Sequence, residues 1–501
     1  GAGRAWRGYL RREQRVAGWL VTRGVPAGAT STVLWIIKLA VLGALLYSAF
    51  WLALLLVSLA MFGNYYVYDA LNPVIDLLRE QEGFTYKQIG LLSTAYNVAA
   101  LLVLLAGGIL IDRWGTKRAI ALFATICLLA AALTAATDRY ELILSGRFLL
   151  GLGAEPLIVA ATTVLAKWFK GKELGLAFGL NLSIARLGSA SADWSTGFAA
   201  PLYTNWQDPL WLATAIAAVS VAAGLLYWMT EKRAEGRFDL GDAGPAEKLD
   251  LRRMFRYSAS YWYIVALCVV FYSTVFPFRT FAIDYFQQAH GMDRQTAGLL
   301  SSMLPMAAIV ATPLFGLWVD RVGRRSLFMA AGSLVMLPLF LAVTYLPPGP
   351  SVQLVPFLWG PEVPLTLLLV IVALGGVFSL IPAVMWPSVA YIVDARRLGS
   401  AYALMTLCQQ LGWAVVPFVV GFLNDRAGAG PENPAGYAGS MWFYTALSSL
   451  GLVFQQQTLF YGERIYASKF KGMPDFAALA EAFGVPAVDL DQESDPLAAL
   501  S

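Results

Sequence analysis

Gly108-Ile-Leu-Ile-Asp112-Arg113-Trp-Gly115-Thr-Lys117-Arg118 and Gly316-Leu-Trp-Val-Asp320-Arg321-Val-Gly323-Arg324-Arg325 are two copies of one signature. Each follows a long apolar run and precedes another. A charged hairpin at the same place in two apolar halves points to a membrane carrier built from two repeats. The glycine after each aspartate permits a tight turn with positive φ. Each aspartate can accept hydrogen bonds from the N-terminus of a facing helix, where the dipole is positive. Asp112-Arg113 and Asp320-Arg321 are therefore expected to latch the cytoplasmic side shut. The plainer reading is a basic topology marker on a glycine turn.

The composition agrees. Of 501 residues, 58% are hydrophobic and 14% charged, and the mean hydropathy is +0.61. Soluble chains carry about 25% charged residues. A net charge of +4 gives no ground for nucleic-acid binding. Cys127, Cys268 and Cys408 lie inside apolar runs, without metal-ligand spacing, and read as small core hydrophobes. His290 is the only histidine and reads as a solvated loop residue. No nucleophile–base constellation or cofactor loop is evident, so neither an enzyme nor a cofactor or metal is expected.

Apolar stretches of about 20 residues can cross a bilayer. Twelve run over roughly 50–79, 87–111, 118–137, 140–168, 172–200, 209–231, 260–288, 294–320, 326–346, 363–393, 397–424 and 437–461. The fold expected is all-α, with twelve transmembrane helices in two parallel six-helix repeats. The bundles occupy 50–231 and 259–462, joined by a polar cytoplasmic linker at 232–258. A basic tail fills 1–49, with 32–48 as a possible interfacial helix, and 463–501 forms a second tail. Lys and Arg gather in the loops on the linker side, which puts both termini in the cytoplasm. A second internal alignment pairs Gly151 with Gly375 and Leu187-Gly188 with Leu411-Gly412.

The ionisable residues inside the spans mark the candidate site. Glu155 and Arg186 stand about equally far from the turn joining spans four and five. At about 1.5 Å per residue, both lie near mid-membrane on adjacent antiparallel helices. A charge there costs at least about 2.5–3.5 kcal/mol, so each must face protein or a watery cavity. Two readings stay open: a buried Glu155–Arg186 ion pair, or a receptor in which the carboxylate holds an ammonium and the guanidinium grips a carboxylate. Tyr68, Asp69, Asn181, Asp193, Trp386 and Gln410 are further cavity candidates. Gln410 stands where Arg186 does in the other half, and Ser379 where Glu155 does. Arg147, in Arg147-Phe-Leu-Leu-Gly151-Leu-Gly153, reads as structural, bonded to main-chain oxygens or a carboxylate. Arg279 and Asp284 read as solvated ends of span seven. Prolines inside the spans bend helices, which suits alternating access, although bilayer helices tolerate proline in any case.

The duplicated loop signature is that of the major facilitator superfamily. The run Gly146-Arg-Phe-Leu-Leu-Gly-Leu-Gly-Ala-Glu155, the block Trp168 to Ser189, Tyr65-Tyr-Val-Tyr-Asp69 and Met385-Trp-Pro-Ser-Val-Ala390 resemble the lysosomal dipeptide carriers of that superfamily. The resemblance implies dipeptide uniport, with the peptide amino end at Glu155, its carboxyl end at Arg186, and Trp386 in an aromatic wall. It also implies a glycosylated accessory membrane subunit. Neither tail carries an acidic-dileucine signal, and the arginine- and alanine-rich tails suit a bacterial inner membrane, with the lysosomal membrane as the alternative. The expectation is a monomeric carrier of dipeptides in the lipid bilayer, working by alternating access. Rivals are a proton-coupled organic-anion carrier and a non-transporting sensor or scaffold.

Overall fold

The computed structural model describes residues 49–169, 174–235, 257–323, 325–353, 361–393 and 397–460. The tails, the interfacial stretch 32–48 and most of the linker lie outside them. Among the described residues there are twelve long helices: α1 (Ala49–Asp69), α2 (Tyr86–Trp114), α3 (Thr116–Ala135), α4 (Tyr140–Phe169), α5 (Leu174–Phe198), α6 (Gln207–Ala234), α7 (Ala259–His290), α8 (Arg294–Val322), α9 (Arg325–Tyr345), α10 (Leu365–Ile392), α11 (Leu398–Arg426) and α12 (Ala438–Phe460). Nine stretches of the described helices are long and apolar enough to cross a membrane.

Local chemistry sets the helix ends. Thr85 and Gln88 form a reciprocal capping box at the start of α2, and Asp293 accepts from the Thr296 amide at the start of α8. Gly115 and Gly323 have φ of 77° and 71°, which meets the turn expected of the duplicated hairpin. The first span ends earlier than its apolar run. α1 stops at Asp69, Pro73 sits in a 3-10 turn, and a short helix follows at Ile75–Glu82. A two-stranded hairpin, β1 (Ser351–Gln353) with β2 (Glu362–Pro364), was not foreseen in the proline-rich loop before α10.

The packing repeats from half to half. α1 packs on α5 and α6, as α7 packs on α11 and α12; α4 packs on α2 and α3, as α10 packs on α8 and α9. Between halves, α2 meets α11 and α5 meets α8, which are again equivalent contacts. The aligned glycines perform the same task in both copies. A Cβ on Gly151 would lie 2.2 Å from the Tyr96 carbonyl of α2, and one on Gly375 would lie 2.6 Å from the Leu304 carbonyl of α8. Likewise Gly188 meets the Phe62 carbonyl of α1 at 2.2 Å and Gly412 the Ser273 hydroxyl of α7 at 2.1 Å. These close approaches set the helix spacing in the bundles. The end of the molecule bearing the linker is called the linker face here, and the opposite end the distal face.

Candidate functional site

Between the halves lies a cavity of about 80 Å³. α1 lines it with Asn64, Tyr65, Tyr68 and Asp69, α2 with Tyr96, and α4 with Glu155 and Ile158. Ser189 of α5 completes the N-terminal wall, and the C-terminal half supplies Phe276 of α7 and Trp413 of α11. Both carboxyls thus stand on the N-terminal wall among tyrosines, and the C-terminal wall is aromatic without charge. The Tyr96 hydroxyl donates to Glu155 Oε1 at 3.2 Å, and Gln410 of α11 faces the same carboxyl. The Tyr68 and Tyr96 rings pack edge to face at 4.6 Å and hold the acid's surroundings rigid.

Arg186 does not pair with Glu155. Its Nη1 crosses to α8, donating to the Ala308 carbonyl at 2.9 Å and the Thr312 hydroxyl at 2.8 Å, and the guanidinium lies over the Phe378 ring. The Ala308 carbonyl also accepts from Thr312 at 2.7 Å and from Ser379 at 3.4 Å. One carbonyl with two lone pairs is shared by three donors, so Arg186 is held by contacts that another acceptor can replace. The buried-pair reading of Glu155 and Arg186 is therefore corrected. The two charges are separately held: Glu155 lines the cavity, whereas Arg186 is not among its lining residues and is turned onto α8.

Of the other site residues expected, Tyr68 and Asp69 line the cavity and Gln410 borders it. Asn181 does not; it is buried against α1, accepting from Ser58 Oγ at 3.1 Å. Trp386 sits one layer back, donating to the Tyr272 hydroxyl at 3.0 Å, and Tyr272 packs on the lining residues Phe276 and Trp413. The inner aromatic wall is thus Phe276 and Trp413, with Trp386 behind it. Both terminal nitrogens of Arg147 donate to the Tyr68 carbonyl of α1, at 3.2 and 3.3 Å, a main-chain contact of the kind expected. Arg113 and Arg321 are exposed. The side chains of Asp112 and Asp320 lie outside the described residues. At the linker face, buried Glu231 of α6 instead binds Lys167 of α4 at 2.6 Å and the Thr116 hydroxyl of α3.

Span seven needs a further correction. Arg279 and Asp284 are buried, because the distal ends of the two halves close over them. Arg279 reaches across to Asp69 of α1 at 3.2 Å and Asp193 of α5 at 3.1 Å. Asp284 accepts from the Tyr86 and Tyr437 hydroxyls, and Arg79 donates to Tyr86. Arg294 binds Asp76 at 2.6 Å. The Asp425 carboxylate of α11 caps α2 across the interface, accepting from the Tyr86 and Lys87 amides at 2.8 and 2.7 Å. Among the described residues, the hydrogen bonds joining the halves all fall between the distal face and the level of Arg186. They seal the cavity from the distal face. His290, at the end of α7, is partly buried against Tyr285 and Phe286 rather than free in a loop. Cys127 and Cys268 are buried and Cys408 partly so, all as free thiols.

Comparison with known proteins adds an independent line. The Major Facilitator Superfamily model matches residues 57–283 and 279–486, one match for each half. A family described only as a protein of unknown function matches residues 1–74. The human lysosomal dipeptide transporter MFSD1 is 31% identical over 401 residues, covering 75% of this chain and 80% of its own, and the bovine protein is 30% identical over 394 residues, covering 75% and 79%. A probable sulfoacetate transporter, SauU of Cupriavidus necator, is 24% identical over 396 residues, covering 75% and 87%. Among solved structures, a bacterial homolog of the human lysosomal transporter Spinster, in an inward-facing and unoccupied conformation, superposes with a TM-score of 0.64 at 16% identity, covering 82% of this chain and 96% of its own. The nucleoside transporter NupG gives 0.62 at 15% identity, covering 80% and 98%. With its two halves matched in turn and its helices packed as a duplicated bundle, this chain belongs to the Major Facilitator Superfamily and is a membrane transporter.

Proposed function

We propose that the chain is a facilitative carrier of dipeptides, moving them down their own gradient by alternating access. The observation that carries this reading is that Glu155 lines the cavity without being paired to Arg186, whose guanidinium rests on neutral acceptors of α8. Glu155 presents a carboxyl supported by Tyr96, and Arg186 a guanidinium held only by exchangeable neutral acceptors. A zwitterion with its charges at its two ends satisfies both: its ammonium meets Glu155, and its carboxylate replaces the Ala308 and Thr312 acceptors at Arg186. Phe276 and Trp413 offer apolar surface to side chains of varied shape. The similarity to lysosomal dipeptide transporters supports the same cargo. In this reading the linker face is cytoplasmic and the distal seal faces the outer medium or a lumen.

Uptake by purified protein in liposomes tests the reading. Arg186→Ala and Glu155→Ala are each expected to abolish uptake of labelled dipeptide while the protein remains folded. Wild-type rates in either variant would remove that residue from the site. Competition by dicarboxylates but not by dipeptides would replace the proposed cargo with an organic anion.

A further inference from the structure

Asp69, Asp193 and Arg279 form a buried cluster of two carboxyls and one guanidinium where α1, α5 and α7 meet. It joins the two halves directly on the distal side of the cavity. The partners of the two acids differ. Asp69 accepts from Arg279 and from the Asn72 amide at 3.1 Å. Asp193, at 0% exposure, uses Oδ2 for both Arg279 and Ser301 of α8, while Oδ1 has no protein partner among the described residues.

Arg147 of α4 acts electrostatically on Asp69 while donating to the Tyr68 carbonyl, so Asp69 has two guanidinium neighbours. Among the described residues Asp193 has Arg279 alone, because Arg294 of α8 is committed to Asp76 and Arg186 to Ala308 and Thr312. The other ionisable groups facing the two acids are phenols and one more acid. Tyr65 and Tyr68 face Asp69, Tyr66 and Tyr203 face Asp193, and Glu155 shares the cavity with Asp69. Phenols carry no charge at neutral pH. Asp193 therefore shares its one guanidinium with Asp69 and keeps Oδ1 unpartnered in a dry site. An ionised oxygen buried without a partner is far more costly there than a neutral carboxyl group. When the halves part, Arg279 leaves with α7 and water reaches Asp193, which can then ionise.

We propose that the distal seal takes up one proton on Asp193 as it closes and returns it when the halves separate. Asp193 does not line the cargo cavity, so its proton exchanges through the distal face. Cargo flux is then still driven by the cargo gradient, while acidity on the distal side biases the carrier toward its distally closed form. One proton bound on closing makes the closed-to-open ratio rise up to tenfold per unit fall in pH.

The test needs no cargo, so it stands or falls separately from the dipeptide reading. Spin labels are placed on exposed distal loops through Asp138→Cys and Glu432→Cys in the full chain, and the interlabel distance is followed in lipid between about pH 5 and about pH 8. The expected result is a short-distance population that grows as pH falls, up to tenfold per unit. Asp193→Asn is expected to remove most of that dependence while the short-distance population persists. A wild-type distribution that ignores pH, or opens on acidification, overturns the proposal. So does Asp193→Asn folding normally and keeping the wild-type slope.

Discussion

Thr312→Val probes how Arg186 is held before cargo arrives. In the unloaded cavity Nη1 of Arg186 donates to Thr312 Oγ1 at 2.8 Å and to the Ala308 carbonyl at 2.9 Å. A cargo carboxylate that takes this guanidinium must displace those acceptors. Valine keeps the shape of threonine and removes the hydroxyl. A hydrogen bond to a charged group contributes about 1.5–3 kcal/mol. The lower end applies, because the Ala308 contact remains and Arg186 is only partly buried. Losing a competitor worth about 1.5 kcal/mol tightens cargo binding about tenfold. Equilibrium binding of labelled dipeptide to the purified variant reads this directly, and Thr312→Ser, which keeps the hydroxyl, is expected to match wild type. Maximal flux should not rise in step, since the removed bond favours release as much as it opposes capture. Unchanged or weaker binding by Thr312→Val would refute the idea that Arg186 is parked on α8, and would make Thr312 a support for the loaded state instead.

Three further outcomes follow from the same geometry. Asp425→Ala removes the cap that α11 places on α2; at about 1 kcal/mol for such a cap, the distally closed population should fall about fivefold, as seen by the interlabel distance. Gly90→Val should prevent distal closure, because a Cβ there would lie 2.3 Å from the Pro417 carbonyl, a backbone atom that cannot yield alone; a variant that closes normally would show that α2 and α11 are not pressed together. Glu155→Gln should raise the half-saturating dipeptide concentration at least about tenfold by removing one charge-assisted contact, while uptake of any analogue lacking a free amine stays as in wild type.

The repeat was legible in the sequence because it is written in glycine. Gly151 and Gly375, and Gly188 and Gly412, align in the chain and meet equivalent neighbours in the fold, where a side chain would collide with the partner helix. The depth of Glu155 and Arg186 was likewise legible, since helical rise alone fixes it. What each charge touches was not legible, because the partners come from the other half. Arg279 looked like a solvated helix end, yet its acids are on α1 and α5, far away in sequence. Trp386 was placed in the wall by resemblance, but Phe276 and Trp413 occupy the inner surface. The signal for Phe276 was present in the aromatic run Phe271 to Phe278; only the rotation of α7 decides which ring faces the cavity.

Recognition of both ends of a small zwitterion, by Glu155 and Arg186, is tested by inhibition of labelled dipeptide uptake by one dipeptide offered free, N-acetylated or C-amidated. Strong inhibition by the free form and little by either capped form is expected. Equal inhibition by all three would rule out recognition of the two charged ends.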